Sequence, residues 1–229
     1  MLASVADVER ILTALGARQE LTEELLALAR LANTEYQNVR SSLKRGLHQK
    51  QRELAALEAD ATHIRFFLPT MITGLLQTPE YARASLGVFP GDHAQAIARR
   101  LDRQATLYNP AKRFTFLLTE AAVRWQLVEP AVMAVQMGRL ASLSELPNIR
   151  LGIIPLDAQV PDGPLNTFTV YDDRIVTAET FGGVIMMRDP RDVAYHLELF
   201  PFFERYAVVG YEVRKLLQHY AEAFRQASL

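Results

Sequence analysis

The residues that most often carry chemistry are thinly spread in this chain. Its five histidines, His48, His63, His93, His196 and His219, are too far apart for any two to share a helical turn. A helical metal site needs two such ligands three or four residues apart. Cysteine is absent, which removes thiol nucleophiles, thiolate metal sites and disulfides and fits a reducing compartment. No serine stands in a GxSxG turn, no glycine loop has phosphate-cradling spacing, and no HExxH occurs. Gly182-Gly183 lacks a third glycine and separates two strand-like segments, so it reads as a turn. The sequence therefore assigns no catalytic residue, no metal ligand and no cofactor.

Two carboxylates stand out by position. Glu120 closes the segment Arg113–Thr119 (RFTFLLT), and Glu179 falls in a strand whose alternation puts Ile175, Thr177 and Phe181 on its own face. A carboxylate among such neighbours sits at a sheet edge, is paired, or lines a cavity, because burying it alone is very costly. Arg124 follows Glu120 by four residues and pairs with it if the chain turns helical there. A structural ion pair and a ligand-facing carboxylate both stay open. The aromatics Phe66, Phe67, Tyr81, Tyr108, Phe114, Phe116, Trp125, Tyr195 and Phe200 could wall a pocket, but their spacing reads first as core.

The elements that must position these residues are legible in outline. The 229 residues suit one large domain, or one domain with a helical appendage. A net charge of -1 gives no field to steer the chain to nucleic acid or membrane. There is neither a signal-peptide pattern nor an apolar run long enough to span a bilayer, so a cytoplasmic protein is expected.

Ser4 caps a first helix in which Val5, Val8, Ile11, Leu12 and Leu15 recur until Gly16. A second, Leu21 to Ala32, offers Leu25, Leu28 and Leu31 for docking. Helical spacing then continues from Tyr36 to His63, with a basic run (Arg40, Lys44, Arg45, Lys50, Arg52) that reads as a solvated face or as a DNA-backbone contact. Thr78-Pro79-Glu80 starts another helix, and one more runs from Asp92 to Tyr108. Arg113–Thr119 and Ile149–Pro155 read as strands around a helix from Pro130 to Leu146. Three short strands, 167–171, 174–181 and 184–187, form a meander through turns at Asp172-Asp173 and Gly182-Gly183. Asp189-Pro190 opens a helix, and a terminal helix follows Gly210. Strands and helices come in blocks, so the expected class is α+β: a helical N-terminal half, and a small mainly antiparallel sheet with packed helices in the C-terminal half.

The ordered segments LEADATHIRFF (57–67), GLLQTPEYARA (74–84), Arg100 to Gln104, FLLTEAAVRW (116–125), IRLGIIP (149–155) and FTVYD to IVTAET, ending at Thr180, carry a resemblance. The series is similar to the uncharacterised C-terminal domain of actinobacterial antitoxin-like regulators of the Xre (Cro/repressor-like) class, over roughly residues 53 to 225. The segment SVADVERILTALG (4–16) resembles the last helix of the DNA-binding domain that precedes it in that family. The resemblance implies residues 1–34 as a remnant of the helix-turn-helix domain plus a connecting helix, and 35–229 as an α+β sensing and dimerisation domain. It supplies no catalytic residues. It offers Gln77, Tyr81, Arg103, Gln104, Glu120, Arg124 and Glu179 as positions for a ligand or partner surface.

Three functions follow as expectations. The first is the effector-sensing and dimerising module of a bacterial transcriptional regulator: a homodimer with a small-molecule effector, a small partner protein, and DNA contacted only through the missing recognition helix. The second is a repurposed stand-alone ligand-binding protein or enzyme with a carboxylate-lined pocket around Glu120 and Glu179. The third is an antitoxin-like protein-interaction subunit.

Overall fold

The computed structural model describes residues 3, 5–38, 47–87, 89 and 91–228. Helices α1 (Val5–Ala14) and α2 (Gln19–Asn33) lead into β1 (Thr34–Asn38). Next come α3 (Leu47–Asp60), β2 (His63–Leu68), α4 (Pro79–Leu86), α5 (Ala94–Arg103) with a 3-10 turn at Gln104–Tyr108, and β3 (Arg113–Thr119). A short α6 (Glu120–Arg124) and α7 (Pro130–Leu143) precede β4 (Ile149–Ile154). The meander is β5 (Thr167–Tyr171), β6 (Ile175–Thr180) and β7 (Gly183–Met187). It is followed by α8 (Pro190–Glu204), β8 (Val208–Val209) and α9 (Gly210–Gln226).

The described strands form one eight-stranded sheet, ordered β1-β7-β6-β5-β2-β3-β4-β8. Only β2-β3 and β3-β4 are parallel; the other pairings are antiparallel. The class is α+β. Alternation divides the central strands between two cores. On one face Ile64, Phe66, Phe114, Phe116, Leu118, Leu151 and Ile153 meet Met133, Met137 and Leu140 of α7 and Val213 and Leu217 of α9. On the other, Phe67, Leu117, Phe168, Val170 and Val176 meet Val193, Phe200 and Phe203 of α8. Phe66 stacks on Phe116 at 4.8 Å and Phe67 on Phe203 at 4.6 Å. Each such ring is worth roughly 1.5–3 kcal/mol of burial.

The long helix expected from Tyr36 to His63 is corrected. Thr34–Asn38 pairs as an antiparallel edge strand with β7, and His63 opens the central strand β2. Among the described residues of that stretch, Leu47–Asp60 is the helical part. In HIRFFL the aromatic and β-branched content outweighs the helical spacing carried in from upstream. Ser4, Val39 and most of the basic run (Arg40, Lys44, Arg45), with Leu43 and Gly46, lie outside the described residues. The first two helices do pack together, through Val5, Leu12 and Leu26. Leu28 and Leu31, expected at that contact, are exposed, as are Ile11 and Leu15.

Candidate functional site

Four of the seven sequence-selected positions, Gln77, Tyr81, Arg103 and Gln104, gather between α3, α4 and α5. Thr78 caps α4 by accepting from the Tyr81 amide, with Pro79 in the first turn. That start fixes the preceding Gln77, only 1% exposed, under the helix. Gln77 Nε2 donates to the Ile72 carbonyl at 2.7 Å, and its Oε1 accepts from Arg100 Nη1 at 2.7 Å and Ser85 Oγ at 3.3 Å. Gln104 Nε2 donates to the carbonyls of Gly74 (2.9 Å) and Gln77 (2.8 Å). These side-chain amides close a loop that would otherwise bury unpaired backbone groups. Tyr81 is fully buried, and desolvation pushes its hydroxyl up to about 12.

Arg103 faces the other way, into α3. Its Nη1 donates to Gln51 Oε1 at 2.7 Å, and its Nε lies 2.9 Å from Glu58 Oε2. Neither of those last two atoms makes an aligned hydrogen bond, so the contact is charge against charge. Burial pushes the Glu58 carboxyl up to about 7, against the opposing charges of Arg103 and Lys112. Lys112 Nζ caps the end of α3 through the carbonyls of Glu58, Ala59 and Ala61. The same desolvation pulls Arg100 down to about 10, leaving it charged at neutral pH.

Glu120 and Arg124 form a second, separate cluster at the carboxyl ends of β3 and β4. Thr119 caps α6, accepting from the Ala122 amide and donating to the Pro69 carbonyl at 2.7 Å. The single turn it starts brings Arg124 Nη1 to 2.9 Å from Glu120 Oε1. Glu120 Oε2 accepts the Leu156 amide at 2.9 Å, and Tyr220 of α9 lines the same depression and interacts with this carboxylate. Burial pushes the Glu120 carboxyl up, but the bonds from Leu156 and Arg124 and the interaction with Tyr220 outweigh it and hold it below the usual range. Tyr220 is driven well above its ordinary value, by burial and by that interaction. The cluster opens onto a depression of about 660 Å³ lined also by Asp157, Glu212, Lys215 and Leu216. A second depression, of about 490 Å³, lies across Pro155-Leu156 against Phe203. Ligands of open sheets settle beyond the carboxyl ends of parallel strands, and these depressions occupy that place.

Glu179 joins neither cluster. It lies exposed at the end of β6, in register with Thr167 and Val184, and reaches the buried groups through its charge, which acts on Arg100 and Tyr171. A pocket shared by Glu120 and Glu179 is therefore corrected: the residues sit on strands three positions apart in the sheet. Of the aromatics, Tyr108, Trp125 and Tyr195 are exposed, and the others are buried in the cores. Sequence reasoning missed Glu58, Arg100, Gln136 and Tyr220. Gln136 is fully buried, takes the Thr78 amide on Oε1 at 2.7 Å and gives Nε2 to the Leu76 carbonyl at 2.9 Å. A polar residue on the apolar stripe of α7 was its one visible signal.

In the α3–α5 node the side-chain amides of Gln77 and Gln104 are used on backbone carbonyls and brace the loop ahead of α4. The Glu120 corner presents a fixed anion, a guanidinium, a phenol and an ammonium to an open depression. No cluster of metal-binding side chains occurs among the described residues. The corner has the chemistry to bind and orient a small polar molecule.

No curated protein matches this chain. Among solved structures it is similar to Nuc, a phospholipase D family member from Salmonella typhimurium, at 11% identity and TM-score 0.41 over 69% of this chain and 90% of that one. It is similar to NucT from Helicobacter pylori at 9% identity and TM-score 0.46, over 77% and 98%. TrmBL2, an archaeal chromatin protein, aligns at 14% identity and TM-score 0.40, over 87% and 65%. At these scores nothing about site or activity carries over. The family model described as "Domain of unknown function (DUF5753)" matches residues 51–219, from inside α3 to the middle of α9, and the chain belongs to that family.

Proposed function

We propose that this chain is the effector-sensing and dimerising module of a bacterial helix-turn-helix regulator of the Xre class, working in the cytoplasm. The observation that carries the reading is the Glu120 corner. One carboxylate holds the ends of β3 and β4 and the helix α9 together beside an open depression. A small polar effector bound there competes for Glu120 and Tyr220 and so shifts α9 against the sheet. The exposed leucine face of α1 and α2 supports the dimerising part, because Ile11, Leu15, Leu28 and Leu31 have no cover within the described chain. Among the described residues no helix is long and apolar enough to cross a membrane.

The test has two arms. Sedimentation gives a dimer that Leu28→Lys with Leu31→Lys converts to monomer. A thermal-shift screen of small polar metabolites finds a stabilising compound whose effect falls at least tenfold in affinity in Glu120→Gln and Tyr220→Phe. A monomer at every concentration, together with no compound that depends on Glu120, sinks the reading.

A further inference from the structure

Five neighbouring strands deliver an exposed apolar side chain to the same rim of the sheet. Strands β2, β3, β4 and β6 point one way and β5 the other. The loops after the first four and the loop before β5 therefore share one end. They carry Met71, Trp125, Leu156, Phe181 and Leu165, exposed by 43%, 66%, 65%, 106% and 93%. The strand order sets the five segments that carry them side by side across β4-β3-β2-β5-β6. At about 4.8 Å between strands the row is about 19 Å long. Soluble surfaces scatter such residues singly; a row of them on loops marks an interaction surface.

The charge around the row is mainly acidic. The loops and the strand and helix ends beside them carry Glu120, Glu129, Asp157, Asp162 and Glu179; of the neighbouring bases, Arg124 is paired with Glu120, and Lys215 of α9, which faces the same depression as Leu156 and Asp157, is paired with Glu212. A second copy presenting its own rim would set acid against acid, and an anionic lipid surface would be repelled in the same way. The complementary surface is apolar along one face and basic at its edges. A helix of about 13 residues has the length of the row.

We propose that this rim docks a basic amphipathic segment of a protein partner. Its apolar stripe lies along Leu156, Trp125, Met71, Leu165 and Phe181, and its Lys and Arg side chains meet Asp157, Asp162, Glu129 and Glu179. The docking stands independently of what the Glu120 depression binds and of the α1–α2 face.

Trp125 is the only tryptophan, so the native protein reports on its own rim. The probe is a synthetic 15-residue amidated peptide with leucines at helical spacing on one face and lysines elsewhere. Titration into the intact chain gives a saturable blue shift of tryptophan emission that weakens as salt is raised. A Glu-for-Lys peptide and a Ser-for-Leu peptide each bind at least tenfold more weakly. So do two variants of the chain, Leu165→Ser with Phe181→Ser, and Glu129→Gln with Asp162→Asn. These positions are exposed loop residues, and unchanged circular dichroism and melting temperature confirm that the variants fold. No saturation, equal binding by the Ser-for-Leu peptide, or equal binding by the variants overturns the proposal. Self-association lost in Leu165→Ser with Phe181→Ser assigns the rim to a second copy instead. Rim-dependent binding to phosphatidylcholine vesicles without peptide binding assigns it to lipid. The dimer and the Glu120-dependent thermal shift are unaffected by these variants, so the two readings fail separately.

Discussion

Glu120 Oε2 accepts the backbone N–H of Leu156 at 2.9 Å, joining residues 36 apart in sequence. The bond spans the carboxyl ends of two parallel strands, where the chain leaves the sheet and no ladder partner exists for that amide. Glu120 also holds Arg124 and Tyr220, so one side chain sets the spacing of α6, the loop after β4, and α9. A carboxylate so fully engaged is a fastener for whatever occupies the adjoining depression.

Replacing it is therefore expected to cost stability and to loosen α9. Glu120→Ala leaves the Leu156 amide without its acceptor and is expected to lose about 1–3 kcal/mol in urea unfolding. Hydrogen exchange is expected to quicken at Leu156 and along the second half of α9. Because the folded carboxyl is held low, its stabilisation is full above the unfolded value and fades as pH falls through the folded one. The stability gap between wild type and Glu120→Ala is thus expected to close below about pH 4.

Gln136 offers a sharper test of the loop ahead of α4. Its amide satisfies one backbone donor and one backbone acceptor, both buried. Gln136→Leu keeps the volume and orphans both groups, at an expected cost of about 2–4 kcal/mol by chemical denaturation. Gln136→Glu keeps the acceptor for Thr78 but brings a buried charge, and is expected to be rescued at acid pH, where it is protonated. A loss under 1 kcal/mol for the leucine variant would show that the loop carries its own hydrogen bonding.

The contrast between these two residues explains what the sequence made legible. Glu120 and Arg124 were readable because a capped turn imposes a spacing of four, a local rule. Gln136 meets Thr78 across 58 residues, and Glu58 meets Arg103 across a crossover between strands, so neither pairing has a local signature. The meander and the capped helices α4 and α8 announce themselves through turn and cap residues at fixed offsets. β1 does not: TEYQN has no apolar alternation and is a strand because β7 offers it an edge. β2 was masked by helical spacing running in from α3, although HIRFFL holds the aromatic and β-branched residues of a buried strand. Glu179 was read as an inward carboxylate because period two fixes a face but not where the cover over that face stops.

That edge pairing is tightest at Gly183. A Cβ at Gly183 would stand 2.1 Å from the Gln37 carbonyl oxygen, which is backbone and has no rotamer to give. Gly183→Ala is expected to unzip β1 from β7 near Asn38 and to cost at least about 2 kcal/mol. Amides of Thr34–Asn38 should lose protection from exchange, while those of β2, β3 and β4 keep theirs. Retained protection at β1 would mean that the strand can shift past the added methyl.

Glu58 makes the last prediction, one of pH. Its carboxyl is raised by burial from 4.5 to about 7, so the folded chain holds this proton more tightly than the unfolded chain does. An acid raised in this way favours the fold at low pH, and that contribution declines as pH climbs through the window from about 4.5 to about 7. The ceiling on the change is about 3 kcal/mol. Carboxyls held low, such as Asp172 and Glu120, act in the opposite sense and below this window. Glu58→Gln keeps the shape and cannot ionise. The stability of wild type minus that of Glu58→Gln is therefore expected to fall between pH 4.5 and 7 and to be flat on either side, in urea unfolding at fixed salt. Arg103→Gln removes the charge that opposes protonation and is expected to move the upper end of the window to higher pH. A difference that rises with pH instead would mean that the Arg103 contact at 2.9 Å outweighs the desolvation of Glu58.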